Sequence, residues 1–331
     1  MQEEFIKQLR AKISDNMSLT EIVRDILDIN YDAAYRRVTG KTSISLEEAV
    51  KLSKHFKLSL NSLFEVGSQS TIVTDLSPRP INEKGLELWF IQSLQNVKPL
   101  VKVKKAEIIW SGKDISLFRT LTDSFLTRYK MYVWLKDLDV DMAKSKITFD
   151  EWVTKIPKSL LESAFELSEV YNHINITELW SDTTINGTLQ QVLYYFEAGM
   201  VSRDMALKIC KDIHQVINQI EEHTINQSMN NNTEKHFKLY KCDLHTLTNT
   251  VMVVTPSQKA FFTPFTVLSY FKIENEATCN MMYEFLNKQM SNSKLLATAG
   301  EKDRALFFKT IHNKITLATE RINLDYKMNF L

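Results

Sequence analysis

Glycine and proline are scarce, 7 and 6 among 331 residues, which excludes a chain built of many tight turns and predicts a mainly helical one. Cysteine is scarcer still. Cys210, Cys242 and Cys279 are odd in number and set apart in apolar surroundings, so a disulfide framework is excluded and reduced thiols are expected. No uninterrupted apolar run approaches the roughly 20 residues that cross a bilayer, and the opening MQEEFIKQLR reads as a charged amphipathic helix, not a signal peptide. The expectation is a cytoplasmic protein with no membrane partner. Net charge is also lacking, since 41 Lys and Arg nearly cancel 40 Asp and Glu; any nucleic-acid site must therefore be local. The chain has no Gly-rich phosphate loop, no GxSxG and no HExxH, so neither an enzyme nor a bound cofactor is expected.

What is present is a chain long enough for two or three domains, with an apolar fraction of 44% to fill their cores. Residues 1–66 read as five short helices, at about 2–14, 18–27, 31–39, 45–56 and 59–65. Ser18 with Glu21, and Ser45 with Glu48, have the spacing of capping boxes, and each helix carries an apolar face that must pack on its neighbours. The stretch 67–84, rich in Ser, Thr and Pro, reads as a linker. Residues 85–225 form a helical coupling or dimerising region, with helices at 85–103, 122–137, 148–173 and 184–225 and one strand, AEIIWSG (106–112). After the polar run NQSMNNNTE (226–234), residues 235–331 change to period-two patterning in FKLYKC, TVMVVT and AFFTPFTVLSYFKI. These predict an antiparallel meander, followed by helices at 276–291 and 301–323. The fold class is thus mainly α with a C-terminal α+β module, and that module is where a small-molecule or protein effector would act.

The chemistry lies between Thr20 and Phe64. A helix-turn-helix needs two helices, a short turn, and a second helix free to lay its first turn against base edges. Leu27-Asp28-Ile29-Asn30 supplies the turn, Asn30 caps the second helix, and Tyr31, Asp32 and Ala33 follow it. Tyr35, Arg36 and Arg37 lie one turn on, with Lys41 and Thr42 beyond, and the fork of Arg36 can reach a guanine edge or a phosphate. From Tyr35 to Lys57 six basic residues face only Glu47 and Glu48, a positive field placed where a phosphate backbone would pass. The partner expected is double-stranded DNA, bound by a homodimer whose heads are one helical turn apart; the rival is an adaptor using the same helices to dock on protein.

Elsewhere, Cys210 with His214 and Cys242 with His245 have half-site spacings for zinc. Neither has a matched second pair, so both read as structural, with no metal. Asp114 and Asp123 read as loop and helix-cap acids.

The run YDAAYRRVTGK, the 45–56 helix and the ending KLSLNSLF resemble the phage-repressor (Cro/CI-like) helix-turn-helix family, in particular bacterial regulators with a Tyr-Arg-Arg recognition helix, here Tyr35, Arg36 and Arg37, followed by Gly40. The resemblance covers about a fifth of the chain and implies a DNA-binding head. It departs at Arg24, where the family has a small residue, and at Asp28, where it has glycine. KDISLFRTL (113–121), ITELW (176–180), YYFEAG (194–199) and SKLLATAGEKDRALFF (293–308) resemble the long C-terminal part of the same regulators, which implies an architecture and no chemistry.

Overall fold

The computed structural model describes residues 1–13, 17–56, 58, 60, 72, 74–229, 235–243, 247 and 249–328, with side chains to 324. The chain divides into two units, Met1–Thr74 and Asp75–Leu331.

The first unit holds α1 (Gln2–Arg10), α2 (Leu19–Leu27), α3 (Tyr31–Val38) and α4 (Leu46–Phe56); the helix expected at 59–65 falls almost wholly outside the described residues. Apolar positions three and four apart put Phe5, Ile6, Leu9, Leu19, Val23, Leu27, Ala34, Val38 and Leu52 into one small core. Two left-handed residues end helices: Asp28 at φ +53° closes α2, and Gly40 at φ +77° follows the cap of α3. Asp28 stands where glycine is usual because a short polar side chain tolerates this geometry. The capping box forms at Ser45 and Glu48, whose side chains and backbone amides exchange hydrogen bonds of 3.0 and 3.2 Å. At Ser18 it does not, because that side chain makes no cap bond to α2.

The second unit is built on one eight-stranded sheet in the order β1-β7-β6-β5-β2-β3-β4-β8. Its strands are β1 (Asp75–Leu76), β2 (Glu107–Ser111), β3 (Asn175–Trp180), β4 (Phe237–Lys241), β5 (Thr250–Val254), β6 (Lys259–Thr266), β7 (Ser269–Ile273) and β8 (Lys294–Leu295). The helices are α5 (Glu83–Val97), α6 (Leu117–Thr120), α7 (Phe125–Leu138), α8 (Val140–Lys144), α9 (Phe149–Trp152), α10 (Lys158–Tyr171), α11 (Asn186–Glu197), α12 (Arg203–Asn226), α13 (Glu276–Ser291) and α14 (Glu301–Met328). β2, β3 and β4 run parallel, and helical crossovers join them, as parallel pairing requires. Ile108, Ile176, Trp180, Phe237 and Leu239 face the large helical layer. Ile109, Leu179, Met252, Phe261 and Ile273 face a smaller cluster with Cys279 and Leu286 of α13.

The mainly α fold with a C-terminal α+β part is what the structure shows; the pairings within it differ from the sequence reading in four places. The meander is β5-β6-β7, whereas β4 lies parallel to β3, with β3 and β2 between it and β5. AFFTPFTVLSYFKI is two strands, folded back at Leu268 with φ +54°. The presumed linker contributes β1, which pairs with β7, and the helical 85–225 segment supplies β2 and β3 to the sheet that the C-terminal segment completes.

Candidate nucleic-acid interface

Asn30 places the second helix of the motif. Its extended backbone (φ −72°, ψ 163°) turns the chain into α3, and its side-chain oxygen accepts from the Ala33 amide at 2.8 Å, satisfying one of the amides a helix start leaves open. The buried face of α3 is Ala34 and Val38. Tyr31, Asp32, Tyr35 and Arg36 are therefore left on its outer surface, all exposed, with Ala33 half-buried. Tyr31 and Tyr35 are 49% and 45% exposed, a large aromatic area for residues that could have been core. Among the described residues the Arg36 side chain makes no hydrogen bond or ion pair, while its carbonyl accepts from Thr39 Oγ1 at 3.4 Å and from the Thr42 amide at 3.0 Å. Lys41 lies over the Tyr35 ring at 5.7 Å, a cation–π contact that adds a second positive charge to this surface.

Arg37 is placed differently. Its Nε donates to both Glu48 carboxylate oxygens at 3.0 Å, Nη2 lies 2.8 Å from Oε1, and Nη1 donates to the Ala33 carbonyl at 3.1 Å. The guanidinium is a strut between α3 and α4, and its hydrogen bonds hold the Glu48 carboxyl below the usual carboxylate range. Arg37 is thus set apart from the other residues expected to contact DNA. Thr42 is half-buried; its amide bonds to the Arg36 carbonyl and its own carbonyl accepts from Gln2. It too belongs to the frame.

Gln2 escaped the sequence reading. Its amide donates to the carbonyls of Arg37 and Thr42, and its oxygen accepts from the Ile44 amide at 3.1 Å. One side chain from α1 thereby staples the loop that follows α3. No periodicity flags a glutamine next to the N-terminus. Arg24, the other departure from the family pattern, turns sideways to pair with Asp25 at 2.7 Å at the surface, so a long side chain is accommodated without entering the core.

The second unit carries a buried polar cluster. Arg119 Nε donates to Glu178 at 2.9 Å, Nη1 meets His223 Nδ1 at 3.0 Å, and the Tyr171 hydroxyl donates to the same Glu178 oxygen at 3.1 Å. The guanidinium sits 4.4 Å from the Phe237 ring centre, and Phe118 stacks on Tyr171 at 4.5 Å. A second trio joins Lys130 to Asp114 at 3.1 Å and to Thr188 at 2.7 Å, so Asp114 is an ion-pair partner and more than a loop acid. Among the described residues no three His, Cys, Asp or Glu side chains converge as a metal set. Cys210 is buried, its thiol pushed up to about 11 by burial, and His214 stacks on His312; His245 lies outside the described residues.

Among the described residues no helix is long and apolar enough to cross a membrane. No family model and no solved structure matches the chain. It is 37% identical over 99 residues to a protein of Haemophilus influenzae named as an uncharacterized HTH-type transcriptional regulator, a match spanning 30% of this chain and 78% of that protein. With a second helix of the motif capped, exposed and positively charged, and a relative of this kind matched over most of its length, the chain belongs to the HTH-type transcriptional regulators.

Proposed function

We propose that the protein is a sequence-specific regulator of the phage-repressor type, which reads operator DNA with the first turns of α3 as a homodimer. The observation that carries this reading is the division of labour between adjacent arginines: Arg37 is consumed by Glu48, while Arg36 is held out beside Tyr31, Asp32 and Tyr35. A planar guanidinium so placed suits guanine O6 and N7, and Lys41, Lys51 and Lys54, all exposed, suit phosphates. The Asp75–Leu331 unit is assigned the regulatory part, receiving an effector or partner, and no catalytic step. Selection of random duplex DNA on the full chain tests the reading. A recovered motif with twofold symmetry and affinity that falls steeply with salt is expected; DNA binding without sequence preference, or none at about 50 mM salt, overturns it.

A further inference from the structure

The outer face of α14 is unusual for a helix at the edge of a packed unit. Its inner face buries Phe307, Phe308, Ile311, Ile315, Ala318 and Ile322, which accounts for its contacts with the rest of the unit. On the opposite side Leu306, Leu317 and Leu324 are 51%, 63% and 60% exposed. They are not scattered. Spaced 11 and 7 residues apart, the three leucines share one face of the helix, and Thr310, Asn313 and Glu320, also exposed, fill the positions between them at alternate spacings of four and three. The stripe runs for about 27 Å at 1.5 Å per residue, longer than isolated surface leucines require.

The occupant is argued from how the exposed residues of the stripe and the charges beside it match a second copy of the same helix. Its positions mirror one another about residue 315, so an antiparallel copy of the same helix sets Leu306 against Leu324, Leu317 beside Asn313, and Thr310 opposite Glu320. Lys309, exposed and adjacent to Thr310, then reaches Glu320 of the second copy. The antiparallel arrangement also opposes the helix dipoles. A parallel pairing would put Glu320 against Glu320, which is unfavourable. We propose that α14 is the dimer interface of the protein, formed with a second copy of this chain as an isologous antiparallel helix pair across a twofold axis near residue 315. This rests on the regulator reading in one respect only: a twofold protein axis is what a twofold operator needs.

The test uses the full chain in analytical ultracentrifugation at tens of micromolar. Wild type is expected to sediment at twice the 38.5 kDa chain mass. Leu317→Glu should return it to one chain mass with unchanged helicity, and Lys309→Glu should weaken dimerisation at least tenfold. Adding Glu320→Lys to Lys309→Glu should restore it. Geometry is read by oxidation: Leu306→Cys alone stays monomeric on a non-reducing gel, whereas the Leu306→Cys, Leu324→Cys double variant cross-links, since the native cysteines are buried. A monomeric wild type, a dimer that survives both Leu317→Glu and Lys309→Glu, or cross-linking of Leu306→Cys alone overturns the proposal. DNA selection on the same preparations separates the two failures: a Leu317→Glu monomer that still binds one half-site leaves the DNA-binding reading standing.

Discussion

Arg36 and Arg37 are neighbours of one chemical type with opposite fates, and the two make different mutants. Arg36→Ala removes an exposed side chain and should shift folding stability by less than about 0.5 kcal/mol. It should cost about 1–3 kcal/mol in binding to the selected site and flatten preference at one base position. Competition binding on single-base variants of that site reads both. Unchanged affinity and unchanged preference would remove Arg36 from the interface. Glu48→Ala instead releases Arg37 and half of the Ser45 capping box at once. It should destabilise the Met1–Thr74 unit by about 1–2 kcal/mol while leaving base preference as in wild type. Far-UV circular dichroism is the probe, because all five tryptophans, from Trp89 to Trp180, lie in the other unit. At this scale the cap and the exposed positions of the candidate interface were legible in the sequence, since Asn30, Tyr31, Asp32 and Arg36 follow from a cap and a helix start. Arg37 was not. Its fate depends on a carboxylate eleven residues away, and no local pattern records which way a guanidinium turns.

At the scale of elements, α3 is a short helix, and isolated helices of this length are marginal in water. Its position depends on the Asn30 cap, the left-handed Asp28 and the Gln2 staple on the following loop. Asn30→Ala should therefore cost about 0.5–2 kcal/mol in stability and loosen the first turn, the part that carries Tyr31 and Asp32. Hydrogen exchange of the full chain checks this: the Ala33 amide, bonded to Asn30 in wild type, should lose protection while buried positions of α1 and α2 keep theirs. The helices of the first unit were legible because their apolar residues fall at helical spacing, and α3 and α4 open at side-chain caps. β3 was not. It is buried along its whole length yet contains Asn175, Thr177 and Glu178, so it has neither the alternation of a half-exposed strand nor the apolar run of a buried one. β1 escaped for a different reason, being two residues long inside a stretch whose composition is that of a linker.

For the whole molecule, the polar cluster around Arg119 is the place where distant parts of the second unit meet. It joins α6, α10, β3, α12 and β4 through Arg119, Tyr171, Glu178, His223 and Phe237. Arg119 and Glu178 come from KDISLFRTL and ITELW, stretches that sequence reading could liken to known regulators without assigning them a role. His223 Nδ1 accepts from the guanidinium, which requires the neutral ring. Burial first, and the Arg119 charge second, push its pKa down to about 4. A histidine in the unfolded chain has a pKa near 6.5, so between these values the unfolded state binds more protons. Stability is then fully present above about pH 6.5, is lost as pH falls toward 4, and changes no further below that through this group. From pH 7 to pH 5 the loss should be up to about 2 kcal/mol. Urea unfolding followed by tryptophan fluorescence isolates the Asp75–Leu331 unit, which holds every tryptophan. His223→Asn keeps an acceptor for Arg119 without a titrating ring. It should have lower stability at pH 7 because the larger ring's packing against Phe237 is lost. Its stability should also fall less between pH 7 and pH 5 than that of wild type, by up to the same 2 kcal/mol. Equal falls in the two proteins would show that His223 is already free to protonate in the folded state, and that the cluster does not enforce its neutral form.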